Sequence, residues 1–435
     1  MAQCNVALYG CGTVGGGVAA MLLGRRGALN VNLGDRVRLK YIVDLRSSQL
    51  AGELNLPSGV ELTADARKPM QDPDVSVVVE LIGGTGFAKT VIEQALRAGK
   101  DVVTANKALL AECGDELFRL ARSCGRAIAF EAAVAGGIPI IDAVRTGLVG
   151  DRIDSVYGIV NGTCNFVLTR MSKDGLSYEA ALAEAQQHGY AEADPTLDVE
   201  GHDAAHKLAV LARLVFGVDA RGKDVPCEGI SRIEQADLRY ADALGYTLKL
   251  LAVGIRRPGG VELRVHPALL RHDHPLASVS GAYNAVCVHG DCVGEVVLTG
   301  LGAGRWPTAS AVVADVCRIA LGTYNREFAA LSQFGDVPRA DVLPLRDLRM
   351  RYYFRLSCKD QPGVLAQVAG ILARHNISIS SVIQQDVAAS EAGHVPVVFM
   401  THEAQEGELQ GALSEINRLE AIEGCQTRML RVQAI

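Results

Sequence analysis

The chain has 435 residues, 49% of them hydrophobic and 21% charged, with a formal net charge of −6. That length exceeds one ordinary domain and predicts two or three, each able to bury a core. Mild acidity argues against nucleic acid or an anionic membrane as partner, because both select basic faces. Eleven cysteines without a Cys-x-x-Cys pair fit reduced thiols in a cytoplasmic protein better than a disulfide framework or zinc site. No stretch has the length of an apolar membrane span. The apolar residues 14–23 lack the preceding positive charge of a signal peptide.

The first third alternates strand and helix patterns. Residues 5–9 form an apolar strand, followed by a glycine turn and a small-residue helix to about residue 23. Residues 37–43 read as a second strand, ending at Asp44, and 75–81 are a β-branched run suited to a strand buried on both faces. A helix at 87–98, a strand at 101–104, a helix at 107–124 and a strand at 127–130 complete the unit. This order predicts a Rossmann-type α/β domain over residues 1–136, a parallel sheet with helices on both faces.

Residues 137–304 predict an α+β domain whose mixed sheet uses 153–159, 247–255, 261–267 and 293–298, with helices at 177–188 and 203–216. A helical Ala/Val-rich pattern at 307–321 suggests that 305–335 returns to pack on the first domain. Residues 336–350, with Pro338, Pro344 and several charges, read as a linker. Residues 351–435 then spell βαββαβ: strands at 352–358, 378–387, 395–401 and 426–432, with helices at 363–375 and from 406. That is a ferredoxin-like order.

Gly10-Cys11-Gly12-Thr13-Val14-Gly15 follows a strand and opens a helix. Glycines there permit a tight turn, close approach to a pyrophosphate and helix–strand packing, and the helix N-terminus supplies free N–H groups. Dinucleotide binding is expected. Asp44 could accept from an adenosine ribose and favour NAD; Arg46 could pair with a 2′-phosphate and favour NADP; or both are solvated loop charges.

Lys107 follows a strand at the carboxyl edge of the predicted sheet, where ligands of such sheets bind. It is either a group that polarises a carbonyl or a surface lysine starting a helix. Residues 185–207 carry Glu192, Asp194, Asp198, Glu200 and Asp203 ahead of Lys207. Pro195 and the glycines predict a loop over 189–202. Asp203 and Lys207 share a face of the next helix, by residue type alone an ordinary surface ion pair.

The spacing of Ala185, Gly189, Tyr190, Asp194-Pro195, Asp198, Gly201, Asp203 and Lys207 resembles the homoserine dehydrogenase signature. Glu80-Leu81-Ile82-Gly83-Gly84-Thr85, Asn106-Lys107, Asn161-Gly162-Thr163, Gly302-Ala303-Gly304 and Pro307-Thr308-Ala309-Ser310 extend the match. The resemblance implies NAD(P)H-dependent, reversible reduction of L-aspartate 4-semialdehyde to L-homoserine, with 137–304 as catalytic and dimerisation domain. It implies Lys207 and Lys107 as catalytic residues, and Glu192 and Asp203 as holders of the substrate ammonium. It also implies Gly10, Gly12, Thr13, Val14, Lys107, Gly189 and Gly302 as cofactor contacts, beside Gly15 of the glycine turn. Many relatives carry arginine before the acid that ends the second strand; Val43 stands here, which leaves NAD and NADP open. The segment 131–138 is similar to a family loop whose carbonyls at Glu131, Val134, Gly136 and Ile138 would bind sodium.

Lys359-Asp360-Gln361-Pro362-Gly363-Val364-Leu365 resembles the effector loop of ACT domains, with Asp360 and Gly363 meeting an amino acid. Joined to the catalytic resemblance, this implies feedback inhibition by L-threonine and a homodimer or homotetramer; a dimerisation module without ligand is the alternative. Another amino-acid semialdehyde reductase and a non-catalytic amino-acid sensor are competing readings. The sensor predicts loss of Lys107, Glu192, Asp203 or Lys207, and all four are present. No kinase-length segment precedes residue 5, so a fused kinase is not expected. Cys164 is expected to be a packed side chain, since reduction of a free aldehyde needs no thiol nucleophile.

Overall fold

The computed structural model describes residues 3–24, 36–53, 55–384, 394–422 and 427–435. Six parallel strands form the first sheet: β1 (Cys4–Tyr9), β2 (Val37–Val43), β3 (Glu61–Thr63), β4 (Val75–Glu80), β5 (Asp101–Thr104) and β6 (Ile128–Ala129). Their order is β3-β2-β1-β4-β5-β6. The order reverses between β1 and β4, opening the crevice where α/β sheets bind ligands. Val77, Val78 and Val79 of β4 are fully buried, as a strand covered on both faces requires. The three-residue strand β3 was not among the expected elements; it is too short to carry a periodic signal.

The helix Arg305–Ala320 returns to this domain and lies on the helix Thr13–Leu22. The contact is close because Gly17 has no side chain; a Cβ there would stand 3.0 Å from Ala309 Cβ.

The second sheet contains β7 (Ile153–Ile159), β8 (Tyr246–Arg257), β9 (Gly260–Arg271), β10 (Tyr283–Gly290) and β11 (Gly294–Leu301). It continues through β12 (Arg349–Lys359), β13 (Ile379–Gln384), β14 (His394–Thr401) and β16 (Arg428–Val432), while β15 (Ala404–Gln405) pairs with β12 off the main path. The order is β11-β10-β7-β8-β9-β16-β12-β14-β13. The sequence suggested two sheets here, and the structure makes one. The joint is the parallel pairing of β16 with β9, Arg431 opposite Ala268 and Val432 opposite Leu269. Residues 385–387 of the expected strand 378–387, and residue 426 of 426–432, lie outside the described residues.

The connection at 336–348 is hydrogen-bonded along its length. Ala340 N–H donates to Asp219 O at 2.7 Å, Val261 N–H to Asp341 O at 2.9 Å and Leu343 N–H to Val261 O at 2.9 Å. β12 also begins at Arg349, inside the segment expected to be linker. No described helix is long and apolar enough to cross a membrane.

Candidate active site

The glycine turn sits between β1 and the helix Thr13–Leu22. Gly10 has φ +90°, and a Cβ there would meet Leu81 O at 2.6 Å; one on Gly15 would meet Gly10 O at 2.0 Å. Gly12 is exposed and a Cβ there would touch nothing. Two glycines therefore serve the fold, while Gly12 keeps the surface open beside exposed Thr13 and half-buried Val14. Such a cradle at a helix N-terminus fits a dinucleotide pyrophosphate.

Asp44 and Arg46 hold each other. Asp44 Oδ1 accepts from Arg46 N–H at 2.9 Å and pairs with Arg46 Nε at 3.1 Å, while Oδ2 accepts from Cys11 N–H at 2.8 Å. The Arg46 side-chain hydrogen bond is the largest cause that lowers the Asp44 carboxyl to about 2. The acid thus ties β2 to the glycine turn, and Arg46 projects from it, its side chain 55% exposed.

Buried Glu80 organises the neighbouring turns. Its carboxylate accepts from Ile82 N–H at 2.8 Å, Gly83 N–H at 3.1 Å and Thr104 Oγ1 at 2.7 Å. Asn106 donates through Nδ2 to Gly84 O at 2.7 Å and caps the helix Lys107–Ser123 by accepting from Leu109 N–H at 3.1 Å. Lys107, the first helical residue, is thereby fixed at the sheet's carboxyl edge.

A cavity of about 500 Å³ faces this edge. Lys107, Gly189, Glu192, Asp203, Lys207 and Gly302 all line it, so residues far apart in sequence meet at one site. Lys207 Nζ is 2.6 Å from Asp203 Oδ2 and donates to Val160 O at 2.6 Å; Lys107 Nζ is 3.3 Å from Asp203 Oδ1. Asn161 Nδ2 donates to Asp203 Oδ2 at 3.0 Å and to Asp198 Oδ1 at 2.7 Å. Burial lowers the Lys207 ammonium from its ordinary range, and Asp203 opposes that shift. Burial alone would raise Asp203, but Lys207 and then Lys107 hold its carboxyl well below the usual range. Asp198 is raised, first by burial and then by the Asp203 charge.

Asp203 lies at the centre of this arrangement. Its carboxylate is buried and engaged by two lysines and Asn161. Glu192 is exposed at the cavity wall. The expected loop over 189–202 contains the short helix Thr196–Val199. Gly189 takes φ +72° there, and Gly201 takes φ +85° just before the helix His202–Phe216 that carries Asp203 and Lys207.

Asn161, Thr163 and Asn284 were missing from the sequence-derived site. Asn161 caps the helix Gly162–Asp174 by accepting from Cys164 N–H, and its motif was visible without its direction. Asn284 had no signal because β10 was not foreseen. It is 1% exposed, lines the cavity, and neither its Oδ1 nor its Nδ2 has a partner among the described residues. A buried amide left unpaired is unfavourable until a ligand satisfies it. Gly302 is dictated by this amide, since a Cβ would stand 1.9 Å from Asn284 Nδ2.

Family models and relatives match nearly the whole chain. The model for the NAD binding domain of homoserine dehydrogenase matches residues 10–131, the homoserine dehydrogenase model matches 139–317, and the ACT model matches 352–421. A homoserine dehydrogenase of Neisseria gonorrhoeae is 43% identical over 100% of both chains. The chain belongs to the homoserine dehydrogenase family. That family membership makes it an NAD(P)-dependent oxidoreductase with a C-terminal ACT domain. A homoserine dehydrogenase structure from Thiobacillus denitrificans is 40% identical with TM-score 0.89, covering 99% of this chain and 98% of that one. A hyperthermophilic archaeal homoserine dehydrogenase in complex with NADPH is 27% identical with TM-score 0.61, covering 74% of this chain and 98% of that one.

Glu131 is buried and its carboxylate accepts from Ile141 N–H at 2.9 Å and Asp142 N–H at 2.8 Å. The loop from Val134 to Ile138 turns through left-handed Ala135 and Gly136, and a Cβ on Gly136 would meet Gly302 O at 2.4 Å. It is therefore packed directly under the cavity wall. Asp360 and Gly363, the latter at φ +94°, sit in an exposed turn before the helix Val364–Arg374. Cys164 is fully buried, and burial pushes its thiol up, which suits packing and not attack.

Proposed function

We propose that the chain catalyses reversible reduction of L-aspartate 4-semialdehyde to L-homoserine, on the convergence of Lys107 and Lys207 at Asp203 inside one cavity. NAD(P)H, held at the glycine cradle, supplies the hydride. Glu192 holds the substrate ammonium at the cavity wall, which fixes the aldehyde carbon and removes much of the entropic barrier. Asp203 orients both lysines and keeps an ammonium charge favourable in a buried place. Negative charge that develops on the aldehyde oxygen is met by these ammonium groups, and Lys207 delivers the proton from Nζ. In the reverse direction Lys207 takes the hydroxyl proton. Gly12, Thr13, Val14, Lys107, Gly189 and Gly302 would contact the cofactor in this reading, and Gly10 and Gly15 would shape the turn that holds it. The decisive assay supplies L-homoserine with NAD or NADP and follows reduced nicotinamide; absence of turnover with either defeats the assignment.

Four finer assignments accompany it. The carbonyls of Glu131, Val134, Gly136 and Ile138 form an all-oxygen set suited to a hard cation such as sodium, and sodium, but not choline, then raises the melting temperature. L-threonine is the effector of the ACT domain, contacted by Asp360 and Gly363, and inhibits turnover. The chain assembles as a homodimer or homotetramer, which light scattering measures. It works in the cytoplasm, where its thiols stay reduced.

A further inference from the structure

Arg305 opens the helix Arg305–Ala320, is exposed, and has no carboxylate partner among the described residues. Its guanidinium lies 4.8 Å from the centre of the Trp306 ring, a cation–π contact that holds it in place. From there it reaches the helix Thr13–Leu22. A Cβ on Gly16 would stand 3.5 Å from Arg305 Nη2, and one on Gly17 would stand 3.1 Å from Arg305 Cγ. The arginine therefore lies along the first turns of the helix that follows the glycine turn. Its charge is felt in the turn itself: burial and then Asp44 push the Cys11 thiol up, and Arg46 and Arg305 oppose them. Arg305 acts there from a helix outside residues 1–136.

Positive charge accumulates here without compensation. A cation at the first residue of a helix opposes the helix dipole. Neither Thr13–Leu22 nor Arg305–Ala320 has a side-chain cap or an acidic residue in its first turn. Such an arrangement is unfavourable in itself and favourable around an anion. Its place in the fold selects the anion. On one side stand Asp44 and Arg46 at the end of β2, where an adenosine ribose is expected. On the other, Gly302, Ala303 and Gly304, the residues just before Arg305, line the catalytic cavity. The part of a dinucleotide that spans those two places is its pyrophosphate.

We infer that Arg305 binds the cofactor pyrophosphate, closing on the glycine cradle from the helix that returns to the first domain. This rests on the reading that places NAD(P)H at that cradle. A guanidinium offers parallel N–H donors that match two phosphate oxygens, and the Trp306 ring restricts where it can point. The pyrophosphate is common to both coenzymes, so Arg305 adds affinity for NAD and NADP alike. Arg46 differs from it in kind, since the group it faces exists in NADP alone. The residue also ties coenzyme binding to the catalytic domain, because Gly302 and Arg305 belong to one short segment.

The test is fluorescence titration of the full chain with NADH and with NADPH, at low and at raised salt. Arg305→Gln weakens both nucleotides by about tenfold or more, as loss of a charge-assisted hydrogen bond would, and Arg305→Lys recovers part of it. Because screening acts on the charge that was removed, NADH affinity depends less steeply on salt in Arg305→Gln than in the wild type. The melting temperature stays near that of the wild type. NADH affinity changed by less than about twofold overturns the inference. So does a loss confined to NADPH, which would put Arg305 on the 2′-phosphate, or a loss with an unaltered salt dependence, which would make its role structural. Failure of the wild-type chain to bind either nucleotide is a separate result, and it defeats the cofactor assignment on which the inference rests.

Discussion

Lys107 and Lys207 share one carboxylate, the first at 3.3 Å from Asp203 Oδ1 and the second at 2.6 Å from Oδ2. The two lysines are unequal, since Lys207 has a side chain 10% exposed and Lys107 one 37% exposed. The buried lysine is the better proton donor at a water-excluded site, and the exposed one the better electrostatic neighbour. Lys207→Met is expected to lower kcat by about 10²–10⁴-fold, the usual worth of a general acid, with a smaller effect from Lys107→Met. Glu192→Gln, in contrast, raises KM for homoserine with kcat less affected. Steady-state kinetics in both directions separates the three.

The direction of the Lys207 shift fixes a pH dependence. Burial lowers its ammonium below the ordinary range. As pH rises through that value the lysine loses its proton, so aldehyde reduction falls and homoserine oxidation rises. Lys207→Arg keeps its charge throughout, and its residual oxidation should lack the alkaline rise. A wild-type profile in which both directions rise together would remove Lys207 from the proton-transfer role.

Two glycines of one turn should behave differently. Gly15→Ala places a methyl 2.0 Å from Gly10 O and is expected to unfold or grossly destabilise the first domain. Gly12→Ala meets nothing in the protein, so its melting temperature stays near wild type while dinucleotide affinity falls by about tenfold or more. Thermal melts beside fluorescence titration with NADPH distinguish folding from binding.

Arg46 tests coenzyme preference. Its guanidinium projects from Asp44 at the end of β2, where a 2′-phosphate would approach. Arg46→Ala removes a charge-assisted hydrogen bond to that phosphate. It should reduce kcat/KM with NADP by about 10–100-fold and change NAD much less. Equal reductions with both would mean that Arg46 only braces Asp44.

The ACT sheet is fastened by Arg431, which is 1% exposed and bonded to both Glu228 and the fully buried Glu406. Arg431→Ala leaves the Glu406 carboxylate buried, with the side chains of Tyr352 and Gln410 as its remaining donors among the described residues. We expect a decrease of about 3–5 kcal/mol in denaturant unfolding. Pairing Arg431→Met with Glu406→Gln should recover part of it, because no uncompensated buried charge remains and Glu228 is half exposed to water.

What the sequence determined by itself was local: the alternating pattern of the first domain, the glycine turn, the βαββαβ order at the C-terminus, and the helix that sets Asp203 four residues before Lys207. Each follows from periodicity, turn chemistry or short spacing, which act within a few residues. Even the signature of residues 185–207 carried no chemistry by residue type, where it was an acidic loop and one ion pair. Tertiary structure decided the rest. It brought Lys107 from another domain onto Asp203, set that acid between two lysines, and left Asn284 without a partner among the described residues on an unforeseen strand. It also joined the ACT strand β16 to β9, creating a charged cavity that neither segment has alone. Long-range strand pairing and the burial of charge depend on which surfaces meet, and no window of sequence contains both surfaces.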